Sequence, residues 1–356
     1  MRTQKVALVQ SFPQTEDLVS DYNLEYTHEC DLAIVRKRQG KGFVYFKGDK
    51  EILQKKQLQR IQSLVIPPIW NEVKISCIEN SHLQAVGRDA KSRKQYIYHS
   101  QWNKFRNTTK FCKMYSFGKK LPMLRKQIEL DLNKKGWHKE KVIALVIRMM
   151  ELTHIRVGNS YYEKENKSYG LTTLRKRHIT IGSTKMKIQF RGKKGIEHNI
   201  TVRNRKLIKL IHRCEELPGW ELFKYIDENG ERRTVKSNHV NEYLQNICGA
   251  KFTAKDFRTW SGSVSFFNTL LECDHTKSED EIKKNLLKGY EETAIALGNT
   301  KNVCRKYYVH PVIVETYQMG KLNRVFNRIK KNNVINPYFS ASEKEILKLF
   351  KNYTPS

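Results

Sequence analysis

The sequence lacks any run of about 18 uninterrupted apolar residues, the length that a membrane-spanning helix requires. The apolar run at residues 6–9 is too short for the apolar part of a signal peptide. The seven cysteines are widely spaced and include no Cys-x-x-Cys pair, which disfavours both a disulfide framework and a zinc site. We therefore expect a reduced intracellular protein that does not insert into membranes.

Motifs for nucleotides and metals are also missing. The sequence has no phosphate-binding loop of the Gly-x-x-x-x-Gly-Lys-Ser/Thr type, no Gly-x-Gly-x-x-Gly turn and no His-Glu-x-x-His helix. No group of acidic residues has the spacing of a metal site. The sequence thus predicts chemistry that needs no nucleotide, no metal and no other cofactor.

Acidic residues are scarce relative to basic ones. The chain has 36 Asp and Glu against 67 Lys and Arg, a formal net charge of +31. A surplus of this size favours a polyanionic partner, and a phosphate backbone is the evident candidate. The alternative, that lysine only increases solubility, is disfavoured because so much charge of one sign repels itself in the folded state.

Turn residues and periodicity divide the chain into parts. Residues 1–20 show no clear period and are expected to form an amino-terminal extension. Residues 21–105 contain short β-rich runs between turns and one helical segment, 51–64. Residues 106–356 are mainly helical. The predicted fold class is α+β, with a small β-rich amino-terminal domain and a mainly α-helical domain that bears one β-hairpin.

The helical part carries several boundary signals. The apolar segment 139–155 predicts a buried helix, and residues 179–202 predict the β-hairpin, with a basic tip. Gly298 is expected to end one helix, and Thr300 to begin the next. Three helices carry the Ser/Thr-x-x-Asp/Glu pattern of a capping box, which begins at Thr253, Ser278 and Ser342.

Cations and phenols lie at these boundaries: Arg156, Lys193, Arg258 and the adjacent Tyr307 and Tyr308. Attack on a phosphodiester places negative charge on the non-bridging oxygens, which two guanidinium groups can bind while they stay protonated. Neighbouring cations favour a phenolate nucleophile, and a lysine of lowered pKa can protonate the leaving oxygen. Taken singly, each residue also fits capping, a turn or packing. The helical periodicity does not distinguish Tyr307 from Tyr308.

Ordered blocks between residues 35 and 311 resemble the type IB DNA topoisomerases, specifically their short poxvirus-type and bacterial branch. These blocks include IPPIW, GRDAKSRKQYIYH, IRVGN, FRGKKG, KDFRTW and ALGNTKNVCRKYYVHP. The resemblance implies a C-shaped clamp around duplex DNA. It also implies relaxation of supercoiled DNA without ATP, through transient single-strand cleavage, a 3′-phosphotyrosyl intermediate, strand swivelling and religation.

The resemblance also assigns catalytic roles by position. It implies that Arg156 and Arg258 bind the phosphate, that Lys193 is the general acid and that Tyr308 is the nucleophile. Asn299 falls where the poxvirus-type members have histidine and the bacterial-type members asparagine, so we expect it to donate a hydrogen bond to a phosphoryl oxygen.

The family register also decides between neighbouring candidates. The family pattern Cys-Arg-Lys-x-Tyr-x-His-Pro puts Tyr307 at a variable position and Tyr308 at the conserved tyrosine. The catalytic lysine of the family directly follows a glycine, which favours Lys193 over Lys194. His310 is not assigned a catalytic role.

The resemblance further implies a set of DNA-binding residues. Two lie in the helical part, namely Tyr162 after the first arginine and Lys255, which stands where tyrosine recombinases usually have histidine. The others form a basic and aromatic segment of the amino-terminal domain: Lys91, Arg93, Gln95, Tyr96 and Tyr98.

Two other functions remain open at this point. A tyrosine site-specific recombinase shares the same chemistry, and a non-enzymatic basic nucleic-acid-binding protein shares the charge. The expected partner is double-stranded DNA, with no nucleotide and no membrane, and the protein is expected to be a monomer. The expected location is the cytoplasm, associated with the nucleoid, for a bacterial host, or the cell interior or virion for a viral one.

Overall fold

The computed structural model describes residues 23–273, 278–331 and 336–354. The expected extension at residues 1–20 lies outside the described residues. The chain forms two compact units that divide between Lys113 and Met114. We call them the amino-terminal and carboxy-terminal units and describe each by itself.

The amino-terminal unit is built on an antiparallel six-stranded sheet with the strand order β3-β2-β1-β4-β5-β6. Its central strand β1 pairs Ile34 with Lys47 of β2 on one side and with Ile75 of β4 on the other. One short helix, α1 (Lys55–Ser63), lies between β3 and β4. The strands are β1 (Ile34–Gln39), β2 (Gly42–Lys47), β3 (Lys50–Glu51), β4 (Asn71–Ile75), β5 (Leu83–Arg88) and β6 (Lys94–Tyr98).

The core of this unit corrects one predicted boundary. Ile52 was expected inside the helix that now begins at Lys55, but its backbone N–H donates to the carbonyl oxygen of Tyr45 at 2.8 Å, as a sheet residue does. Its side chain joins the buried cluster of Ile34, Ile61 and Ile75. Tertiary burial of an isoleucine therefore outweighs the helical pattern of the segment.

Helices dominate the carboxy-terminal unit, which confirms the predicted mixed fold of a sheet-based first part and a helical second part. None of the helices in the described ranges is long and apolar enough to cross a membrane. They are α2 (Ser100–Asn133, which begins in the first unit), α3 (Lys139–Thr153), α4 (Ser160–Asn166), α5 (Arg205–Glu216), α6 (Ser237–Cys248), α7 (Ala254–Glu272), α8 (Glu279–Leu297), α9 (Lys301–Tyr307), α10 (Pro311–Gln318), α11 (Leu322–Lys331) and α12 (Ala341–Lys351).

Helix α3 lies inside the core, as its apolar sequence predicts. Val142, Leu145, Val146 and Met149 are at most 1% exposed. They belong to one large cluster with buried aromatic residues of α7, including Trp260. Burial of this one helix therefore organises most of the unit.

Two small sheets accompany the helices. The predicted hairpin is β8 (Met186–Arg191) and β9 (Glu197–Val202), and β7 (Ile179–Ile181) adds a third antiparallel strand. A second hairpin of β10 (Lys224–Ile226) and β11 (Arg232–Thr234) was not predicted. The Asn-Gly pair at 229–230 is a turn signal that could have indicated it.

The capping signals had mixed outcomes. Thr253 and Asp256 form the predicted capping box of α7, Gly298 ends α8 in a left-handed conformation, and Thr300 caps α9. The capping box predicted for the last helix at Ser342 was wrong. The cap is Ser340, because the carboxylate of Glu343 accepts a hydrogen bond from the backbone N–H of Ser340 while it also accepts from Arg125.

The buried Glu343 gives a stability prediction. It accepts two hydrogen bonds from Arg125, at 2.8 and 2.9 Å, and one from the indole of Trp260 at 2.9 Å. Glu343→Gln removes one of the two carboxylates, Glu343 and Glu151, that compensate the largely buried guanidinium of Arg125, so we expect it to lower the free energy of unfolding by about 2 kcal/mol. The measurement is denaturant unfolding. The matched control is Glu216→Gln at an exposed pair with His212, which should change little; equal losses in both variants would contradict the prediction.

Candidate active site

Arg156 lies in the segment that follows α3. His154 ends that helix in a left-handed conformation. The backbone carbonyl of Arg156 then accepts a hydrogen bond from the N–H of Leu171 at 2.9 Å. A Cβ atom at Gly170 would come within 2.6 Å of this carbonyl oxygen, so the close approach requires glycine there. The Arg156 backbone is therefore fixed, and its side chain points to one partner: Nη2 donates to Oδ1 of Asn299 at 2.8 Å.

Asn299 reaches this position through the turn between α8 and α9. Gly298 adopts a φ of +56°, and the backbone N–H of Asn299 then bonds to the carbonyl of Ala294 at 2.9 Å. The side-chain oxygen of Asn299 is occupied by Arg156. Its Nδ2 is buried and has no acceptor among the described residues. A buried donor of this kind has a free-energy cost unless a ligand supplies an acceptor.

Arg258 lies in the first turns of α7 and is only 5% exposed. Its guanidinium donates to the backbone carbonyl oxygens of His154 and Leu297, the latter at 2.7 Å. Its Nε is buried and has no acceptor within the described segments. Burial, followed by the charge of Arg156, lowers the pKa of Arg258, yet a guanidinium stays protonated in proteins. Two backbone carbonyls therefore stabilise the buried charge of Arg258, and its Nε–H remains able to donate to an anion.

Tyr308 ends helix α9 beside this cation. The guanidinium carbon of Arg258 lies 5.4 Å from the centre of the Tyr308 ring. Tyr307, in contrast, is 41% exposed, and Lys306 lies over its ring at 5.3 Å. The structure therefore distinguishes the two tyrosines, because of the two it is Tyr308 whose ring lies beside Arg258. We call Arg156, Arg258, Lys193 and Lys255 the cation cluster.

The backbone of Tyr308 is held against α7. The hydroxyl of Ser263 donates to the carbonyl oxygen of Tyr308 at 3.1 Å and accepts from the N–H of His310 at 3.1 Å. A Cβ atom at Gly262 would lie 2.9 Å from the Cβ of Tyr308, so only glycine allows this approach. Ser263 and Gly262 were not predicted as site residues, because single-sequence patterns do not reveal contacts between distant segments.

The electrostatic environment favours the ionised phenol. Burial by itself would raise the pKa of Tyr308, but the charge and hydrogen bond of Arg258, together with the charges of Arg156 and Lys255, outweigh this effect. The net result is a pKa below the usual value for tyrosine. Tyr308 is thus the residue with the properties of an activated oxygen nucleophile.

The hairpin lysine is brought to the same place. Lys193 lies at the exposed tip between β8 and β9. Desolvation and the charge of Arg156 lower its pKa, while Tyr308 raises it and Lys255 lowers it further. These interactions show that Lys193, Lys255 and Tyr308 share one electrostatic environment. Lys194 adopts a left-handed backbone with a φ of 62° at the same tip.

His310 has a structural environment. It is fully buried, its ring stacks on Phe350 with the centroids 3.9 Å apart, and Tyr353 packs edge-on at 4.5 Å. Its Nδ1 accepts a hydrogen bond from the N–H of Val312 and so caps α10. These contacts agree with leaving it out of the catalytic set.

Comparison with known proteins identifies the family. A model of the catalytic core of eukaryotic DNA topoisomerase I matches residues 99–334, more than half of the chain. The chain is also 36% identical over 293 residues to DNA topoisomerase 1B of Acanthamoeba polyphaga mimivirus, an alignment that covers 80% of this chain and 87% of the relative. The chain belongs to the type IB DNA topoisomerase family.

Further relatives of this family agree. A model of the amino-terminal domain of bacterial DNA topoisomerase IB matches residues 42–89. Identity is 28% over 244 residues to DNA topoisomerase 1 of Rabbit fibroma virus (66% of this chain, 72% of the relative). Identity is 26% over 236 residues to DNA topoisomerase 1B of Vaccinia virus strain Copenhagen (65% and 71%). The resemblance read from the sequence blocks is confirmed.

Most of the predicted DNA-binding residues of this topoisomerase are exposed, whereas Gln95 and Tyr98 are half-buried. In the amino-terminal unit, Asp89 accepts hydrogen bonds from the backbone N–H groups of Lys91 and Arg93 and from the side chains of Arg93 and Gln95. Chiefly through the Arg93 side chain, these bonds lower the pKa of Asp89 to about 2. Tyr96 and Tyr98 of β6 stack with their ring centroids 6.0 Å apart. The segment is therefore preorganised by one carboxylate.

The two remaining predicted residues lie in the carboxy-terminal unit. Tyr162 of α4 is 53% exposed and packs edge-on against Tyr161, with no contact to the cation cluster among those described. Lys255 is exposed on the first turn of α7, three residues before Arg258.

The phenol of Tyr308 allows a direct test of the site's electrostatics. Arg258→Ala removes the largest influence that lowers its pKa, while burial, which raises the pKa, largely remains. We therefore expect a higher pKa for Tyr308, measured by NMR titration of tyrosine labelled with ¹³C at Cζ. Arg305→Ala, on the exposed face of α9, is the matched control and should leave this pKa unchanged. An unchanged pKa in Arg258→Ala would contradict the assignment.

Proposed function

We propose that this protein relaxes supercoiled double-stranded DNA without ATP, by transient cleavage of one strand through Tyr308. The observation that carries the proposal is the cation cluster itself. A half-buried phenol of lowered pKa lies beside Arg258 and near Arg156, and two buried donors there have no acceptor among the described residues. A phosphodiester supplies both the electrophile and the missing acceptor oxygens.

In the first step, the phenolate oxygen of Tyr308 attacks the phosphorus, and a bond to phosphorus forms. The phenol proton has left to water beforehand, which the neighbouring cations favour. Arg156 and Arg258 bind the non-bridging oxygens as negative charge accumulates on them. The free Nδ2 of Asn299 donates to the same phosphate, because its Oδ1 is already occupied by Arg156.

In the same step, the bond between phosphorus and the 5′-oxygen breaks. Lys193 donates its proton to this leaving oxygen, so that a 5′-hydroxyl is released. The pKa of Lys193 is lowered by desolvation and by Arg156, which makes it a stronger acid than a lysine in water. Lys255 lies close enough to influence both groups and assists the departure. Reversal of these transfers reseals the strand.

The covalent product explains why no nucleotide is required. The 3′-phosphotyrosyl bond conserves the energy of the broken phosphodiester, so religation needs no other energy source. While the 5′-hydroxyl end is free, that strand swivels about the intact one and supercoils are lost.

Binding of DNA involves both units in this proposal. The amino-terminal unit is a DNA-binding domain that contacts DNA through the segment organised by Asp89, where cationic and aromatic side chains suit phosphate and sugar. The carboxy-terminal unit is the catalytic domain. We propose that the two close on duplex DNA as a C-shaped clamp in a monomeric enzyme. The formal net charge of +31 supports this partner.

The nucleophile can be tested against its neighbour. Tyr308→Phe should lose plasmid relaxation and the denaturant-resistant DNA adduct by ~10³-fold or more, because no oxygen remains to attack. DNA binding should persist, since phosphate contacts supply it. The measurement is relaxation of a plasmid without ATP and with EDTA, together with adduct detection on a denaturing gel.

Tyr307→Phe is the matched control for this variant and should relax plasmid normally. Full activity of Tyr308→Phe, or loss of the adduct in Tyr307→Phe, would contradict the assignment. Salt-sensitive binding without any adduct in the wild-type protein would instead favour a non-enzymatic binding protein.

The acid assignment predicts a particular dependence on pH. The single-turnover cleavage rate should rise with pH as Tyr308 loses its proton and fall at higher pH as Lys193 loses its own. The rise (the acid limb) and the fall (the alkaline limb) should both occur at lower pH than for an ordinary tyrosine and an ordinary lysine, because both pKa values are lowered. Lys193→Ala should remove the alkaline limb and slow cleavage by ~10²-fold or more. Lys194→Ala should keep the alkaline limb but move it to higher pH, because the charge of Lys194 also lowers the pKa of Lys193. An unchanged alkaline limb in Lys193→Ala would mean that another group is the acid.

A further inference from the structure

His198 lies between two parts of the active site without belonging to the assigned catalytic set. It is directly opposite Phe190 across the β8–β9 pair. Its imidazole stacks on the Phe190 ring, with the centroids 4.7 Å apart and an angle of 9° between the planes. Phe190 is itself buried, so this stacking fixes the orientation of the imidazole.

Two glycines leave room for this ring. A Cβ atom at Gly192 would come within 2.7 Å of ring atoms Cδ2 and Nε2, and one at Gly298 within 2.7 Å of Cε1. The imidazole therefore fills the space between the hairpin tip and the turn after α8. The residue that follows each glycine is catalytic in the proposed function: Lys193 after Gly192, and Asn299 after Gly298.

We propose that His198 is a positioning residue whose ring holds the hairpin tip against the α8–α9 turn and so sets the place of Lys193 relative to the phosphate. The inference rests on the proposed role of Lys193 as the general acid. The imidazole acts by filling the space between Gly192 and Gly298 rather than by carrying a charge. Burial, with the charges of Arg156 and Arg258, lowers the pKa of His198, which favours a neutral imidazole that adds no further cation to the site.

The other contacts explain why the effect is selective. The end of β8 next to the tip has two other contacts, because the N–H of Tyr169 donates to the carbonyl of Arg191 and the hydroxyl of Ser168 donates to that of Gly192. Arg258 is held by backbone carbonyls and the Arg156 side chain by Asn299, whose own N–H bonds to the carbonyl of Ala294, and none of these bonds involves His198. Loss of the imidazole therefore loosens the tip that carries Lys193 and leaves the phosphate-binding groups in place.

The experiment compares two cleavage substrates for the full-length protein. One is an ordinary DNA strand, and in the other the bridging 5′-oxygen of the cleavage site is replaced by sulfur. A thiol has a pKa of about 8.5, so the sulfur leaves as a thiolate and needs no general acid. His198→Ala should slow single-turnover cleavage of the oxygen substrate by roughly 100-fold, because a displaced acid loses its proton-transfer geometry. On the sulfur substrate it should cleave almost as fast as the wild type.

Four variants serve as references. Lys193→Ala should show the same selective loss and the same rescue by sulfur, whereas Arg258→Ala should be slow on both substrates. His212 is an exposed histidine of α5, and His212→Ala should cleave both substrates at the wild-type rate. His198→Phe retains a flat ring on Phe190 and should cleave the oxygen substrate close to the wild-type rate.

The outcomes separate the inference from the proposed function. If sulfur does not rescue Lys193→Ala, the acid assignment fails and the inference fails with it. If Lys193→Ala is rescued but His198→Ala is slow on both substrates, or normal on both, His198 does not position the acid. If His198→Phe is as slow as His198→Ala, the ring acts through its nitrogens rather than its shape, and the proposal is overturned. Thermal unfolding of each variant checks that it is folded.

Discussion

The buried guanidinium of Arg258 is the constraint on which the site depends. A cation that is 5% exposed must be compensated, and here the backbone carbonyls of His154 and Leu297 do so. These two carbonyls belong to the ends of α3 and α8, so one side chain fixes the point where three helices meet. The segments that leave those ends carry Arg156 and Asn299. Compensation of one buried charge thereby brings together the groups that we propose bind a phosphate.

The sequence predicted most of what depends on local signals. The apolar segment of α3, the basic hairpin, the cap at Thr253 and the stop at Gly298 all follow from periodicity and turn chemistry. The identities of the candidate site residues followed from ordered blocks rather than from physics. Periodicity could not separate Tyr307 from Tyr308, because the distinction is which phenol reaches Arg258, and that depends on a helix remote in sequence.

The missed features all depend on contacts between distant residues. Ile52 lies outside its predicted helix because it is buried in the core of the sheet. The last capping box begins at Ser340 rather than Ser342 because Glu343 also binds Arg125. Gly262 resembles an ordinary helical glycine until the Cβ of Tyr308 is found beside it. His198 likewise resembles a strand residue, and its place between two glycines appears only in the folded chain. Local propensity does not contain this information.

The contact between Ser263 and the backbone of Tyr308 has a mechanical consequence. Because the carbonyl of Tyr308 and the N–H of His310 both bond to Ser263 of α7, the main chain at Tyr308 is restrained against turning with its side chain. In the proposed mechanism, a DNA end attached to the phenol is held through a main chain that is anchored to α7, so the torque of a rotating strand passes into α7 and the core beneath it. Resistance to swivelling then depends on how stiffly that helix is packed, a property of buried aromatic residues such as Trp260.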